Sequence, residues 1–156
     1  MNNQETLLDY LRQQQKAFFT APSPSSWAKI LEEWLAALEK LMTRIDGFLK
    51  APQSNNLLRV QTYEMEVDEG KYPRYTARAL RIETPSGAVV EVVPQGRWVM
   101  NATGRVDLIS QYNRLPIVRF GPDEWAIMRA KPDGDGWDRT PLDADSFSAA
   151  LLQVLL

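Results

Sequence analysis

The chain contains no cysteine and no histidine among its 156 residues. The first absence excludes disulfide bonds, thiolate nucleophiles and cysteine metal sites. The second removes the commonest general base, the commonest transition-metal ligand and the usual switch near neutral pH. We therefore expect no metal, no cofactor and no catalytic residues, and we interpret the protein as not being an enzyme.

Long apolar runs are also missing. No run approaches the ~18 residues that a membrane-spanning helix needs, and the N-terminal residues lack the basic and apolar regions of a secretory signal. The net charge is −2, which is not the basic footprint of a nucleic-acid-binding domain. We expect a cytoplasmic protein with neither a nucleic-acid nor a membrane partner. Its content of 44% hydrophobic and 24% charged residues is typical of a globular chain, here a single domain over residues 1–156.

The helical part is predicted over residues 1–50. Asn2 and Glu5 fit a capping box that opens a helix from about residue 3 to 19. Ser23 and Pro24 then suit the cap and first position of a long helix over 24–50, which Pro52 ends. This second helix carries a heptad seam of seven apolar residues: Trp27, Leu31, Trp34, Leu38, Leu41, Ile45 and Phe48. The seam predicts either a core with Trp34 near its centre or a homodimer through helix 24–50.

A sheet is predicted over residues 57–139, where the apolar period changes to two. Strands are expected around 58–67, 74–84, 88–93, 97–100, 105–110, 115–120 and 124–130. A phase change at Gln61–Thr62 predicts a bulge, and Pro116 predicts an edge strand or an irregular one. Connections of two to six residues cannot hold crossover helices, so the sheet must be an antiparallel meander.

A short C-terminal helix is predicted over 141–156, opening at Thr140-Pro141 or Asp143, with Phe147, Leu151 and Val154 buried. We expect the terminal leucines to dock as well. The fold class is therefore α+β: an N-terminal helix pair, the second helix long, packed on a meander sheet of five to seven strands, and a short C-terminal helix.

Three acidic patterns invite a chemical interpretation. The run Asp133-Gly134-Asp135-Gly136-Trp137-Asp138 alternates acids with glycine, but its register does not fit a calcium loop, and Asp-Gly predicts a hairpin turn. Glu64 and Glu66 share one face of a strand, and we interpret them as a solvated edge with arginine partners. Asp107 points away from its apolar neighbours and is predicted to pair with Arg105 two positions earlier.

Arginine and tryptophan provide the candidate binding surface. Ten of the twelve arginines follow residue 56, and arginine suits sheet surfaces and interfaces. If the tryptophans of the predicted strands converged with an arginine on a concave sheet face, they would form a cleft with stacking potential. The candidate residues for a ligand or partner are Arg97, Trp98, Trp125, Arg78 and Arg81. The alternatives are core packing for each tryptophan and solvated arginine–glutamate pairs for the sheet.

Three functions follow from these observations. A non-catalytic protein-interaction or accessory module is favoured by the poor catalytic inventory, the arginine-rich sheet and the apolar helix. A small-ligand-binding domain that uses the concave sheet face is the alternative. An enzyme that relies on carboxylates and arginines alone is the third. The chain has no internal repeat and no motif by which a family can be assigned.

Overall fold

The computed structural model describes residues 2–19, 24–70, 72–99 and 101–156. Its elements are α1 (Asn3–Phe19), α2 (Pro24–Phe48), α3 (Lys50–Ser54), β1 (Arg59–Val67), β2 (Tyr75–Glu83), β3 (Val89–Gly96), β4 (Arg105–Ile109), β5 (Arg114–Gly121), β6 (Glu124–Ala130), β7 (Trp137–Pro141) and α4 (Ala144–Leu155). The predicted α+β class is confirmed. The chain forms two compact units, Met1–Glu33 and Trp34–Leu156, and the single domain stays a prediction.

The first unit contains α1, which begins as predicted. The Glu5 N–H donates to Asn2 Oδ1 at 2.8 Å, and the Asn2 N–H donates to Glu5 Oε2 at 3.3 Å, which completes the capping box. The apolar side chains described on this helix are about half exposed: Leu7, Leu8, Tyr10 and Leu11.

The seam of α2 is buried at five of its seven positions, and the other two, Leu31 and Phe48, are half-buried. The helix ends at Phe48, two residues earlier than predicted, and the proposed cap Ser23 lies outside the described residues. The expectation that Pro52 ends the helix is wrong, because Pro52 lies inside α3. Proline is tolerated there since the first residues of a helix have no intrahelical partner for their N–H groups.

The second unit is built on one seven-stranded sheet with the order β1-β2-β3-β4-β5-β6-β7, every neighbouring pair antiparallel. The predicted meander is confirmed, with longer bounds for β3. The hairpin between β2 and β3 turns through Pro85-Ser86-Gly87, where Gly87 has φ +86°. The turn closes with Gly87 N–H donating to Thr84 O and Thr84 N–H donating to Ala88 O. A three-residue loop with a left-handed glycine is a standard connection of this kind.

The sheet differs from the sequence prediction in several details. The residues around Trp98 form no strand; the described part has only an isolated bridge between Val99 and Ala102, and Met100 lies outside the described residues. β5 is a central strand, so the edge interpretation of Pro116 is wrong. Its β5–β6 pairing begins only at Ile117, and a register shift follows at Arg119, so the strand is irregular. Pro116 therefore pairs with β4 alone.

The predicted bulge in β1 is also wrong. The β1–β2 register runs without interruption from Arg59↔Glu83 to Val67↔Tyr75. The alternation of apolar residues shifts by one position because the two halves of β1 direct their apolar side chains to opposite faces of the sheet. Val60 lies across from buried Ile82, whereas Tyr63 lies across from buried Ala79 on the other face.

The two faces of the sheet have different neighbours. The helix face, defined by Leu80, Ile82, Val92, Leu108, Ile117 and Ile127, is fully buried under α2 and α4. The Trp34 and Trp125 rings stack across this interface at 6.0 Å, and Arg129 Nε donates to Gln153 Oε1 of α4 at 2.8 Å. The opposite face, which we call the open face, carries mostly half-buried and exposed residues. One packed and one solvated face is usual for antiparallel sheets.

The C-terminal helix begins after Asp143. The Asp143 carboxylate accepts the Ser146 N–H at 2.7 Å, and the Ser146 hydroxyl accepts the Asp143 N–H at 2.9 Å. Phe147, Leu151 and Val154 are buried as predicted. The expectation that the terminal leucines dock is wrong for Leu156, which is almost fully exposed.

Candidate functional site

The five residues of the predicted binding surface lie in four separate places. Trp125 is 6% exposed and stacks on Trp34 in the core. Arg78 lies on the helix side of the sheet, where it pairs with Glu39 of α2 at 3.2 Å. Arg81 lies on the open face and pairs with Glu83 of its own strand at 3.5 Å. These three side chains therefore do not share a surface.

Arg97 and Trp98 do come together, in the connection between β3 and β4. The Arg97 guanidinium lies 5.1 Å from the Trp98 ring centroid, and Tyr72 stacks on the same ring at 5.9 Å. Trp98 is 43% exposed. The predicted pairing of an arginine with a tryptophan thus exists here, but as a small aromatic stack on a loop.

Glu69 holds this loop in place. Its Oε1 accepts the N–H of Arg97 at 2.8 Å and that of Trp98 at 3.0 Å. Its other oxygen accepts the Tyr75 hydroxyl, which in turn accepts the Trp34 indole N–H at 3.0 Å. Burial, followed by the hydrogen bond to Glu69, raises the pKa of Tyr75. One hydrogen-bonded path therefore connects the centre of the core to the exposed loop.

The open face carries an apolar groove of about 450 Å³ over β4–β7. It is lined by Val99, Asn101, Arg105, Pro116, Val118, Phe120, Met128, Trp137 and Arg139. The register explains the convergence, because Met128 pairs with Arg139 across β6 and β7 and thus shares a face with it. Trp137, at the end of β7, is 57% exposed. The groove is therefore an apolar surface with an accessible tryptophan and two arginines.

Arg139 is oriented by an aromatic contact. Its guanidinium lies 3.7 Å from the Phe120 ring centroid, within the range of a cation–π interaction. Asn101, which also lines the groove, has φ +59°, a left-handed conformation that asparagine tolerates better than most residues.

Arg105 is fixed by a buried carboxylate. Asp107 is 0% exposed and accepts Arg105 Nε at 2.6 Å and Arg105 Nη2 at 3.0 Å. Arg114 contacts the same carboxylate at 3.2 Å. The predicted pair of Arg105 and Asp107 is confirmed, while Arg114 and the complete burial of Asp107 were not foreseen. Two guanidinium groups around one carboxylate leave one positive charge in excess beside the groove.

A second, polar depression of about 600 Å³ lies on the open face near β1. Gln61, Thr62, Tyr63, Arg81 and Glu91 line it. The Tyr63 hydroxyl donates to Glu91 Oε2 at 3.0 Å. Burial and this bond raise the pKa of Tyr63 to about 12.

The acidic run before β7 forms the predicted hairpin turn. Asp133 Oδ1 accepts the Asp135 N–H at 2.9 Å, and Gly134 and Gly136 have φ +78° and +99°. The sequence analysis extended the sheet to residue 139 but predicted no strand after this turn, so β7 was missed, and with it Trp137 and Arg139. The Asp-Gly turn is itself the signal that could have found them, because such a turn normally connects two antiparallel strands.

Comparisons with known proteins found no matching protein-family model, no matching curated protein and no matching solved structure. Across the described parts of the chain, no helix has both the length and the apolar character needed to cross a membrane.

Proposed function

We propose that the protein is a non-catalytic interaction module and that a partner protein binds the groove on the open face. The observation that carries this proposal is the exposed Trp137 beside Arg139 on an apolar floor. Tryptophan and arginine are the residues most enriched at the centres of protein interfaces.

The lining of the groove supports recognition rather than chemistry. Among its lining residues, the only polar side chains are Asn101, Arg105 and Arg139 together with the Trp137 indole. None of these groups is a proton acceptor or nucleophile at neutral pH. The side chains fit a partner that inserts an apolar side chain and presents a carboxylate or carbonyl oxygen to the arginines.

The groove is also held in a fixed shape. Asp107 fixes Arg105 with two hydrogen bonds, and the Phe120 ring supports Arg139. Side chains that are already ordered lose less entropy when a partner binds. The arginines therefore provide charged contacts at a reduced entropic cost.

A small-ligand-binding function is the second candidate. Its support is the volume of about 450 Å³, which lies within the ~300–1,000 Å³ typical of ligand pockets.

The acidic net charge of −2 favours a protein over a nucleic acid as the macromolecular partner. A cytoplasmic location, supported by a composition without cysteine, belongs to the same proposal.

Self-association through helix 24–50 has weaker support. The seam residues Trp34, Leu38, Leu41 and Ile45 are buried within the single chain. A dimer through α2 would have to use the exposed side of the helix, where Glu39 and Lys40 already pair with Arg78 and Asp123 of the same chain.

The test is affinity capture with three forms of the full chain, followed by reconstitution. The wild type is compared with the Trp137→Ala/Arg139→Ala variant and with Tyr112→Ala, which removes an exposed aromatic at the opposite end of β4 and β5. We expect one partner to bind the wild type and Tyr112→Ala but not the groove variant, and to bind again when purified and measured by calorimetry. Equal binding to all three forms would refute the groove as the site. Stabilisation of the wild type, but not of the groove variant, by a small molecule would favour the second candidate.

A further inference from the structure

The outer edge of β1 is the longer of the two edges of the sheet in the described chain. β1 has nine residues, no proline and no register shift. The other edge strand, β7, has five residues and ends in Pro141. Short length and proline are two devices by which proteins prevent an edge strand from pairing with another chain. β1 has neither of them.

The register shows which main-chain groups of β1 point outward. Thr84 N–H donates to Ala88 O across the β2–β3 hairpin. Because N–H directions alternate along a strand, the odd-numbered residues of β2 then point toward β1. They pair with the odd-numbered residues of β1. The even-numbered residues of β1 therefore direct their N–H and C=O groups away from the sheet: Val60, Thr62, Glu64 and Glu66.

Two of these four residues, Glu64 and Glu66, have acidic side chains. Glu64 makes no ion pair with any described residue, because Arg78, opposite it in the register, pairs with Glu39. Glu66 lies 3.8 Å from Arg74, which pairs more closely with Asp68 at 3.3 Å. The helix side of this edge thus has four carboxylates and only two guanidinium groups. The carboxylates are those of Glu39, Glu64, Glu66 and Asp68, and the guanidinium groups are those of Arg74 and Arg78. The excess of two negative charges favours a basic strand beside it.

We propose that β1 binds an extended segment of a partner protein as an eighth, antiparallel strand, with Lys or Arg at two alternate positions facing Glu64 and Glu66. The main-chain groups of β1 supply the hydrogen bonds and the glutamates supply the selectivity. On the other face, the added strand lies next to the polar depression lined by Gln61, Tyr63, Arg81 and Glu91, which receives an intervening side chain. This edge is separate from the groove at β4–β7, so either proposal can fail without the other.

The test uses the full chain labelled with ¹⁵N and two capped seven-residue peptides, Thr-Val-Lys-Val-Lys-Val-Thr and its counterpart with glutamate in place of lysine. We expect the lysine peptide to shift the amide signals of Val60, Thr62, Glu64 and Glu66 and to slow their hydrogen exchange. The glutamate peptide should bind more weakly, by roughly two- to thirtyfold for two cross-strand charge pairs.

Two variants separate strand addition from non-specific attraction. Thr62→Pro removes an outward N–H without removing a bond of the β1–β2 ladder, and it should abolish the effect while leaving the fold intact. Glu64→Lys/Glu66→Lys keeps every main-chain group and should reverse the preference, so that the glutamate peptide binds better. This second variant keeps the test decisive if the proline variant does not fold.

Three results would overturn the proposal. The first is no shift in the signals of β1 with either peptide. The second is binding that persists in Thr62→Pro while that variant remains folded. The third is a dimer of the chain alone, seen by analytical ultracentrifugation and lost in Thr62→Pro, which would assign the edge to a second copy instead of a basic partner.

Discussion

Replacing Trp34 by alanine tests whether the seam of α2 belongs to the core. The Trp34 side chain is 0% exposed and is the largest among the fully buried side chains described. It stacks on Trp125 with ring centroids 6.0 Å apart, and its indole N–H donates to the Tyr75 hydroxyl at 3.0 Å. The Arg119 guanidinium lies 6.0 Å from its ring centroid. This one side chain of α2 therefore contacts residues of three strands, β2, β5 and β6.

The expected loss of stability follows from these contacts. Removing a buried tryptophan side chain costs about 3–5 kcal/mol. The aromatic stack adds about 0.5–1.5 kcal/mol beyond the buried area, and the hydrogen bond to Tyr75 adds about 1 kcal/mol. We therefore expect Trp34→Ala to fall in the upper half of the range, at about 4–5 kcal/mol. Typical domains have a total stability of about 5–15 kcal/mol, so the variant should be close to unfolding.

The measurement is urea unfolding followed by circular dichroism, with Trp137→Ala as the matched control. The control removes the same side chain from a half-exposed position and should lower the free energy of unfolding by clearly less, about 1–2 kcal/mol. Melts at two protein concentrations should coincide for the wild type, because a core residue does not link stability to association. A loss below about 1 kcal/mol for Trp34→Ala, or a melt that depends on concentration, would refute the reasoning.

Gly104→Ala disturbs the same ring from the sheet. A Cβ at Gly104 would overlap the six-membered ring of Trp34, and the residue has φ +150°, which an L side chain rarely adopts. We expect a loss of at least 1–3 kcal/mol, the usual cost of overpacking a core. Gly134→Ala is the matched control, since its φ is +78° but a Cβ there meets nothing within 4 Å. Equal losses in the two variants would show that backbone conformation, not contact with Trp34, sets the cost.

Two further predictions concern charged groups. Arg105→Ala should lower the free energy of unfolding by about 1–3 kcal/mol, because it removes two hydrogen bonds from the buried Asp107. Arg114→Ala removes one longer contact, made by a side chain that is 56% exposed, and should cost less than about 1 kcal/mol. Equal losses of the two variants in urea unfolding would contradict this ranking. Hydrogen bonds from Ser146 lower the pKa of Asp143 below its ordinary value of 3.8. The ionised carboxylate therefore stabilises the folded state above pH 3.8, and this stabilisation is lost as the pH falls through the pKa of the folded state. Asp143→Asn keeps a cap and should make the melting temperature less sensitive to pH below about 4; an unchanged acid dependence would be the contrary result.

Local chemistry was sufficient for α1, α2, α4 and six of the seven strands, but not for α3 or β7. The 3- and 4-residue spacing of the seam defines α2, because an apolar stripe with that period fits only a helix. Turns such as Pro85-Ser86-Gly87 are too short for crossover helices, so the meander follows from connection length alone. The pair of Arg105 and Asp107 was predictable for the same reason, since residues two apart on a strand share a face.

Only the tertiary structure decided which face each strand buries and which residues meet. Trp98 and Trp125 each follow a charged residue and precede an apolar one in the sequence, yet Trp125 is in the core and Trp98 is on an exposed loop. Alternation shows which side chains of a strand share a face of the sheet, but it does not show which face the helices will cover. The phase change in β1 had the same cause: it marks a change of covered face, not a bulge.

The candidate groove shows this limit most clearly. Trp137, Arg139, Arg105 and Phe120 come from three strands, and their meeting depends on the β4–β7 registers. In a meander each register depends on the turn geometry and on which face of the strand is buried, and only the packing of the helices decides the buried face. The sequence by itself therefore determined the three longest helices, the meander and the local ion pair, while only the tertiary structure brought together the surface on which the proposed function depends.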